Sequence, residues 1–106
     1  MSRHPHLRFH LPELETFLVV LEEGSFSRAA ERLCVSQPSV SSRVKRLENV
    51  LRVKLIERTT RSVEATADGK LLKAAAEEAL SGLYAVLHQF RDRSEAARNR
   101  VVIAAT

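Results

Sequence analysis

Between Ser25 and Leu51 the sequence leaves room for two short helices and almost nothing between them, and this spacing constrains the fold more than any other feature. Ser25 suits an N-cap, because its hydroxyl can accept from a first-turn amide. Phe26, Ala29, Ala30 and Leu33 then share one helical face. The two alanines are small enough to let another helix axis come close. Only Cys34 and Val35 separate this segment from Ser36, a second capping serine, with Pro38 tolerated in the turn that follows. Val40, Val44, Leu47 and Leu51 form the buried stripe of that helix. Upstream, a first helix starts near Pro12, places Glu13 and Glu15 at its positive end, and buries Leu14, Phe17, Leu18 and Leu21. Gly24 closes it in the left-handed conformation. Two helices joined by so tight a turn behind a supporting helix make a helix-turn-helix.

After Val53 the period changes. Lys54 to Arg58 and Val63 to Ala65 read as the strands of a small hairpin, a wing, around Thr59, Thr60, Arg61 and Ser62. From Thr66, a capping residue, strong helix formers run to about Arg93, interrupted only by Gly69 and Gly82. Such a helix is roughly 42 Å long. Leu72, Ala76, Ala79, Leu80, Leu83, Val86, Leu87 and Phe90 form a seam along it, with His88 at its flank. A small domain cannot cover so long a seam, so a second copy of the chain is the expected occupant, and packing back on its own domain is the alternative.

The expected architecture is therefore mainly α. A loose arm (residues 1–10) precedes a winged helix-turn-helix of three helices and a two-stranded wing (11–65). A long dimerisation helix (66–93) and a polar tail (94–106) follow, with Val101 to Thr106 reading as a strand. The arm lacks the apolar stretch of a signal peptide, and no apolar run reaches the ~20 residues of a membrane span. The single cysteine, Cys34, cannot form an internal disulfide. It is expected as a small buried residue, which suits a reducing cytoplasm and a soluble protein.

Charge points to the partner. Between Ser25 and Val63 nine basic residues face three acidic ones, a net of +6 in a chain whose total is +4. The positive field thus belongs to the helix-turn-helix and wing, as a surface approaching phosphates requires. With Val40 set at zero on the third helix, Pro38, Ser41, Ser42, Lys45 and Asn49 fall on the face opposite the buried stripe. Short side chains there let backbone enter a major groove, and Gln37 carries an amide able to contact adenine twice. Arg43, Lys45 and Arg46 are placed to hold phosphates, and Arg61 at the wing tip to enter a minor groove. Ser36, Ser39, Arg58 and Thr60 complete the candidate interface. For the serines, capping and plain solvation are the competing roles.

Other chemistries find little support. The glycines are scattered rather than gathered in a phosphate loop, and His4, His6 and His10 lack a cysteine or carboxylate to complete a metal site, so neither enzyme nor metal protein is expected. A protein-binding module that dimerises through the long helix and never meets DNA is the remaining rival. Salt dependence separates it, because phosphate contacts weaken steeply with ionic strength.

The runs Ala29-Ala30-Glu31-Arg32-Leu33, Val35-Ser36-Gln37-Pro38-Ser39-Val40-Ser41, Arg46-Leu47-Glu48 and Leu55-Ile56-Glu57-Arg58 together resemble the N-terminal domain of LysR-type transcriptional regulators, from about Leu11 to Leu87. The resemblance implies DNA binding at an interrupted palindrome, with Gln37, Pro38, Ser39 and Ser41 approaching bases and Arg61 entering the minor groove. It also implies antiparallel pairing of linker helices, a tetramer in the full-length protein, and RNA polymerase as a further partner. The tail would begin an effector-binding domain that takes a small-molecule inducer, with no cofactor in the present chain. Two positions depart from the family pattern. Ser42 replaces a basic residue, which passes the phosphate contact to Arg43. Arg52 replaces a glycine where a left-handed residue is expected, at a cost of about 1 kcal/mol.

Overall fold

The computed structural model describes residues 8–59 and 62–105, with side chains to Arg98. Its elements run α1 (Leu11–Glu23), α2 (Phe26–Leu33), α3 (Gln37–Leu51), β1 (Ile56–Arg58), β2 (Val63–Ala65) and α4 (Ala67–Ala105). This is the expected mainly helical, winged helix-turn-helix order. The arm up to residue 7, with His4 and His6, lies outside the described residues, as do Thr60 and Arg61 at the wing tip.

Capping chemistry sets the helix boundaries. The Ser25 hydroxyl accepts from the Arg28 amide at 3.1 Å, and that of Ser36 from the Ser39 amide at 3.2 Å. At the start of α1, Glu13 accepts from the His10 amide at 3.3 Å. All three helices of the bundle end on a left-handed residue: Gly24 (φ 65°), Cys34 (φ 57°) and Arg52 (φ 59°). Only the first is a glycine. Cys34 is exposed, which corrects the expectation of a small buried residue. Its position is fixed by the turn, whose amides close onto Glu31 and Ala30, and not by packing.

The core lies where α1 packs on α2 and α3. Phe17, Val20, Ala29, Val40 and Leu47 are fully buried, with Leu14, Leu18, Phe26, Ala30 and Val44 nearly so. Each large side chain among these contributes about 1.5–3 kcal/mol. Leu21, Leu33 and Leu51, placed on buried stripes by spacing, sit half-buried at the margin. Val20 and Thr16 are more deeply buried than Leu21, because α1 is contacted on two sides rather than one.

The wing is a two-stranded antiparallel sheet pairing Ile56 with Ala65, Glu57 with Glu64 and Arg58 with Val63. Strands of three residues are too short to stand alone. Buried Leu55 and Ile56 anchor the hairpin in the core, and Thr59 and Ser62 close its turn through the Thr59 amide and hydroxyl. Observed β1 is shorter than the expected Lys54–Arg58 because Leu55 turns inward.

Thr66 caps α4. Its hydroxyl accepts from the Gly69 amide at 3.0 Å and donates to the Lys54 carbonyl, while its amide donates to the Leu55 carbonyl at 3.0 Å. Gly69 is obligatory here: a Cβ would lie 2.1 Å from the Leu55 carbonyl oxygen, a backbone atom that cannot move aside.

Two compact units divide the chain, residues 1–73 and 74–106. In the second, α4 continues past Arg93 to Ala105, which corrects the expected end of the helix and, for Val101 to Ala105, the expected strand at Val101 to Thr106, whose last residue lies outside the described ones. A strand needs a neighbour for its backbone groups, whereas a helix satisfies its own. Good helix formers from Glu95 to Arg98 carry the helix into the β-branched residues. No helix of the described residues is long and apolar enough to cross a membrane.

Candidate nucleic-acid interface

α3 enters the solvent with its polar flank uncovered. Gln37, Pro38, Ser42, Lys45, Arg46 and Asn49 are exposed, and Ser39 and Ser41 are half-buried. Ser36 and Ser39 are joined hydroxyl to hydroxyl at 2.9 Å, so both serve the cap first. Gln37, just inside the cap, has no hydrogen bond within the described residues to hold its amide back from a ligand.

Beside this flank runs a groove of about 270 Å³ lined by residues of three elements: Phe26 of α2; Ser41, Val44, Lys45 and Glu48 of α3; and Ile56, Glu57 and Arg58 of β1, with Lys54 at its edge. Arg58 bridges the groove. Its guanidinium stacks 3.5 Å from the centroid of the Phe26 ring, and Nη2 donates to Ser41 Oγ at 2.9 Å. Lys45, Lys54 and Arg58 give the groove a positive rim.

Of the two acidic residues that line the groove with these cations, Glu48 and Glu57, the first is already engaged. Glu48 Oε2 accepts from the amides of Leu55 at 2.7 Å and Ile56 at 3.2 Å, tying the root of the wing to α3. A carboxylate accepting two backbone N–H groups makes strong, charge-assisted bonds.

Arg43 also makes a contact within the domain. It lies on the flank toward α1, half-buried, with Nη1 donating to Thr16 Oγ1 at 3.4 Å. One of its donors is thus engaged inside the domain, and Ser42 beside it is the exposed residue. Arg32 of α2 is likewise committed elsewhere: a hydrogen bond to Glu22 (2.7 Å), with that carboxylate's charge and Glu23 at 3.2 Å, holds its pKa above the ordinary arginine value.

Of the sequence-derived interface, the structure brings Ser41, Lys45 and Arg58 together at the groove and joins Ser36 to Ser39 at the cap, leaves Gln37, Pro38, Ser42 and Arg46 exposed on α3, and bonds Arg43 to Thr16 of α1. Phe26, Lys54 and Glu48 were not expected as interface-shaping residues. Phe26 reads as core because of its helical phase, and nothing local in the sequence announces that its ring also carries Arg58.

On α4, Ala76 is buried and Leu72 and Leu80 are half-buried within a single chain. Leu83, Val86, Leu87 and Phe90 are 43–52% exposed, a large apolar face for one helix, with Ala79 also exposed.

Residues 11–70 match the family described as bacterial regulatory helix-turn-helix protein, lysR family. Among curated proteins, the chain is 42% identical over 90 residues to the HTH-type transcriptional activator AllS of Salmonella typhimurium (strain LT2), covering 85% of this chain and 29% of that protein. It is 35% identical over 98 residues to the uncharacterized HTH-type transcriptional regulator YbhD of Escherichia coli (strain K12), covering 92% and 31%. The chain spans about a third of the length of these relatives. Among solved structures, a complex of the BenM DNA-binding domain with catB site 1 DNA is similar with a TM-score of 0.75 at 32% identity, covering 81% of this chain and 97% of that one. Vibrio fischeri DarR in complex with DNA gives 0.73 at 33%, covering 83% and 30%.

Proposed function

Because the chain belongs to the LysR family of bacterial helix-turn-helix regulators and carries that family's DNA-binding domain, we propose that it binds double-stranded DNA sequence-specifically as the N-terminal part of a transcriptional regulator. In this reading α3 lies in the major groove. Gln37, Pro38, Ser39 and Ser41 approach base edges, while Lys45, Arg46 and Ser42 face phosphates. The wing, with Thr60 and Arg61 at its tip, follows the adjacent minor groove. Two copies pair through the exposed face of α4 and so hold two recognition helices on an interrupted palindrome, about one helical turn (~34 Å) or a multiple apart. A small-molecule inducer acting on an effector domain, a tetrameric full-length protein, contact with RNA polymerase and a cytoplasmic location complete the proposal.

The observation that carries it is the uncovered polar flank of α3: Gln37 is exposed beside a cap that orders the helix start, and Ser41 and Lys45 of the same helix line a groove with Lys54 and Arg58. Selection from random duplexes tests it, the expected result being enrichment of one interrupted palindrome. Binding that ignores sequence, or affinity insensitive to salt, would refute it, since neutralised phosphates make affinity fall steeply with ionic strength.

A further inference from the structure

We infer that Ser41 meets DNA as a hydrogen-bond donor, with Arg58 and Phe26 as the positioning residues that impose this polarity. The inference rests on the DNA-binding reading above and adds the chemistry of one contact to it.

A serine hydroxyl offers one proton and two lone pairs, and its polarity is normally free to follow its partner. Here it is not free. Arg58 Nη2 donates to Ser41 Oγ at 2.9 Å, and a guanidinium has no lone pair to accept in return. The Ser41 proton must therefore point elsewhere. Among the described residues no acceptor takes it, not even the carbonyl one turn earlier to which helical serines often bond back. Donation by a cation also polarises the O–H, strengthening the next bond in the chain. The positive charge at the same oxygen disfavours a second donor, such as the amino group of cytosine.

Phe26 makes the arrangement stiff. The guanidinium carbon lies 3.5 Å from the ring centroid, and the ring is itself packed in the core at 7% exposure. A guanidinium held over a buried ring and hydrogen-bonded at one nitrogen has few other orientations, which restricts the direction of its N–H groups. Three elements thus meet at one hydroxyl: α2 supplies the platform, β1 the charge and α3 the reading group. The bases that satisfy such a donor in the major groove present N7 or O6 of guanine, N7 of adenine, or O4 of thymine.

The test is binding-site selection with the 106-residue chain, comparing wild type with Ser41→Ala, Arg58→Met, Arg58→Lys, Phe26→Leu and Phe26→Tyr, followed by affinity measurements at several salt concentrations. Ser41→Ala should flatten the preference at one base pair of each half-site by about fivefold to a hundredfold. Arg58→Met should flatten the same base pair, with no further loss when Ser41→Ala is added. Phe26→Leu should do so partly, while Phe26→Tyr and Arg58→Lys retain more of the preference than their apolar counterparts. Should Arg58→Met weaken all duplexes alike and lower the salt slope by about one, with base preferences intact, Arg58 is a phosphate clamp and the inference fails. It fails equally if the Ser41-dependent preference disappears on removing an exocyclic amino group from the contacted base rather than an acceptor atom. A wild-type chain that enriches no sequence removes the regulator reading itself, a distinct outcome from either.

Discussion

Glu48 Oε2 lies 2.7 Å from the amide nitrogen of Leu55, and a second amide, that of Ile56, reaches the same oxygen at 3.2 Å. Leu55 is fully buried, so its N–H has no water to fall back on. Truncation by Glu48→Ala would leave a buried donor unpaired and should cost about 2 kcal/mol. Glu48→Gln, whose amide oxygen can still accept, should cost clearly less. Urea unfolding of the two variants measures the difference; equal midpoints would show that this carboxylate does not hold the wing.

Arg52 ends α3 at φ 59°, with its amide donating to the Glu48 carbonyl, so the turn keeps left-handed geometry although no glycine supplies it. Arg52→Gly should stabilise the chain by about 1 kcal/mol, the strain of the left-handed conformation being relieved in excess of the added chain entropy. The denaturant midpoint reports it, and a lower midpoint would mean that the arginine side chain contributes more than its backbone loses.

Gln37→Ala should lose about 1 to 3 kcal/mol on the preferred duplex and much less on random DNA. Fluorescence anisotropy on both duplexes separates a base contact from a phosphate contact, which would lose equally on each.

Leu83 is 46% exposed in the middle of the apolar face of α4. Leu83→Asp would place a charge in a helix seam and should dissociate the pair, weakening operator binding with it. Sedimentation equilibrium follows the first effect and anisotropy the second; an undiminished dimer would refute pairing through this face.

The three bundle helices were legible because local rules and packing agree there: Ser25 and Ser36 cap where hydroxyl chemistry says they should, and Phe17, Val40 and Leu47 are buried where helical phase puts them. What escaped depends on partners distant in sequence. The charge of Arg43 and the helical phase of Phe26 do not show that one reaches Thr16 and the other lies beneath Arg58. The residue type of Cys34 favours burial, whereas turn geometry decides its exposure. The β-branched residues of Val101 to Thr106 favour a strand, but so short a propensity does not overrule a helix that propagates through Ala105.

Leu55 also has a carbonyl, and Thr66 at the head of α4 is bonded to it at 3.0 Å. A single residue therefore has one hand on α3 through Glu48 and the other on the head of α4 through Thr66, with Gly69 packed so close that a side chain there would strike the Leu55 carbonyl. The head of α4 and the end of α3 are therefore moored to the same short stretch, Lys54 and Leu55, and a substitution there reaches both helices at once.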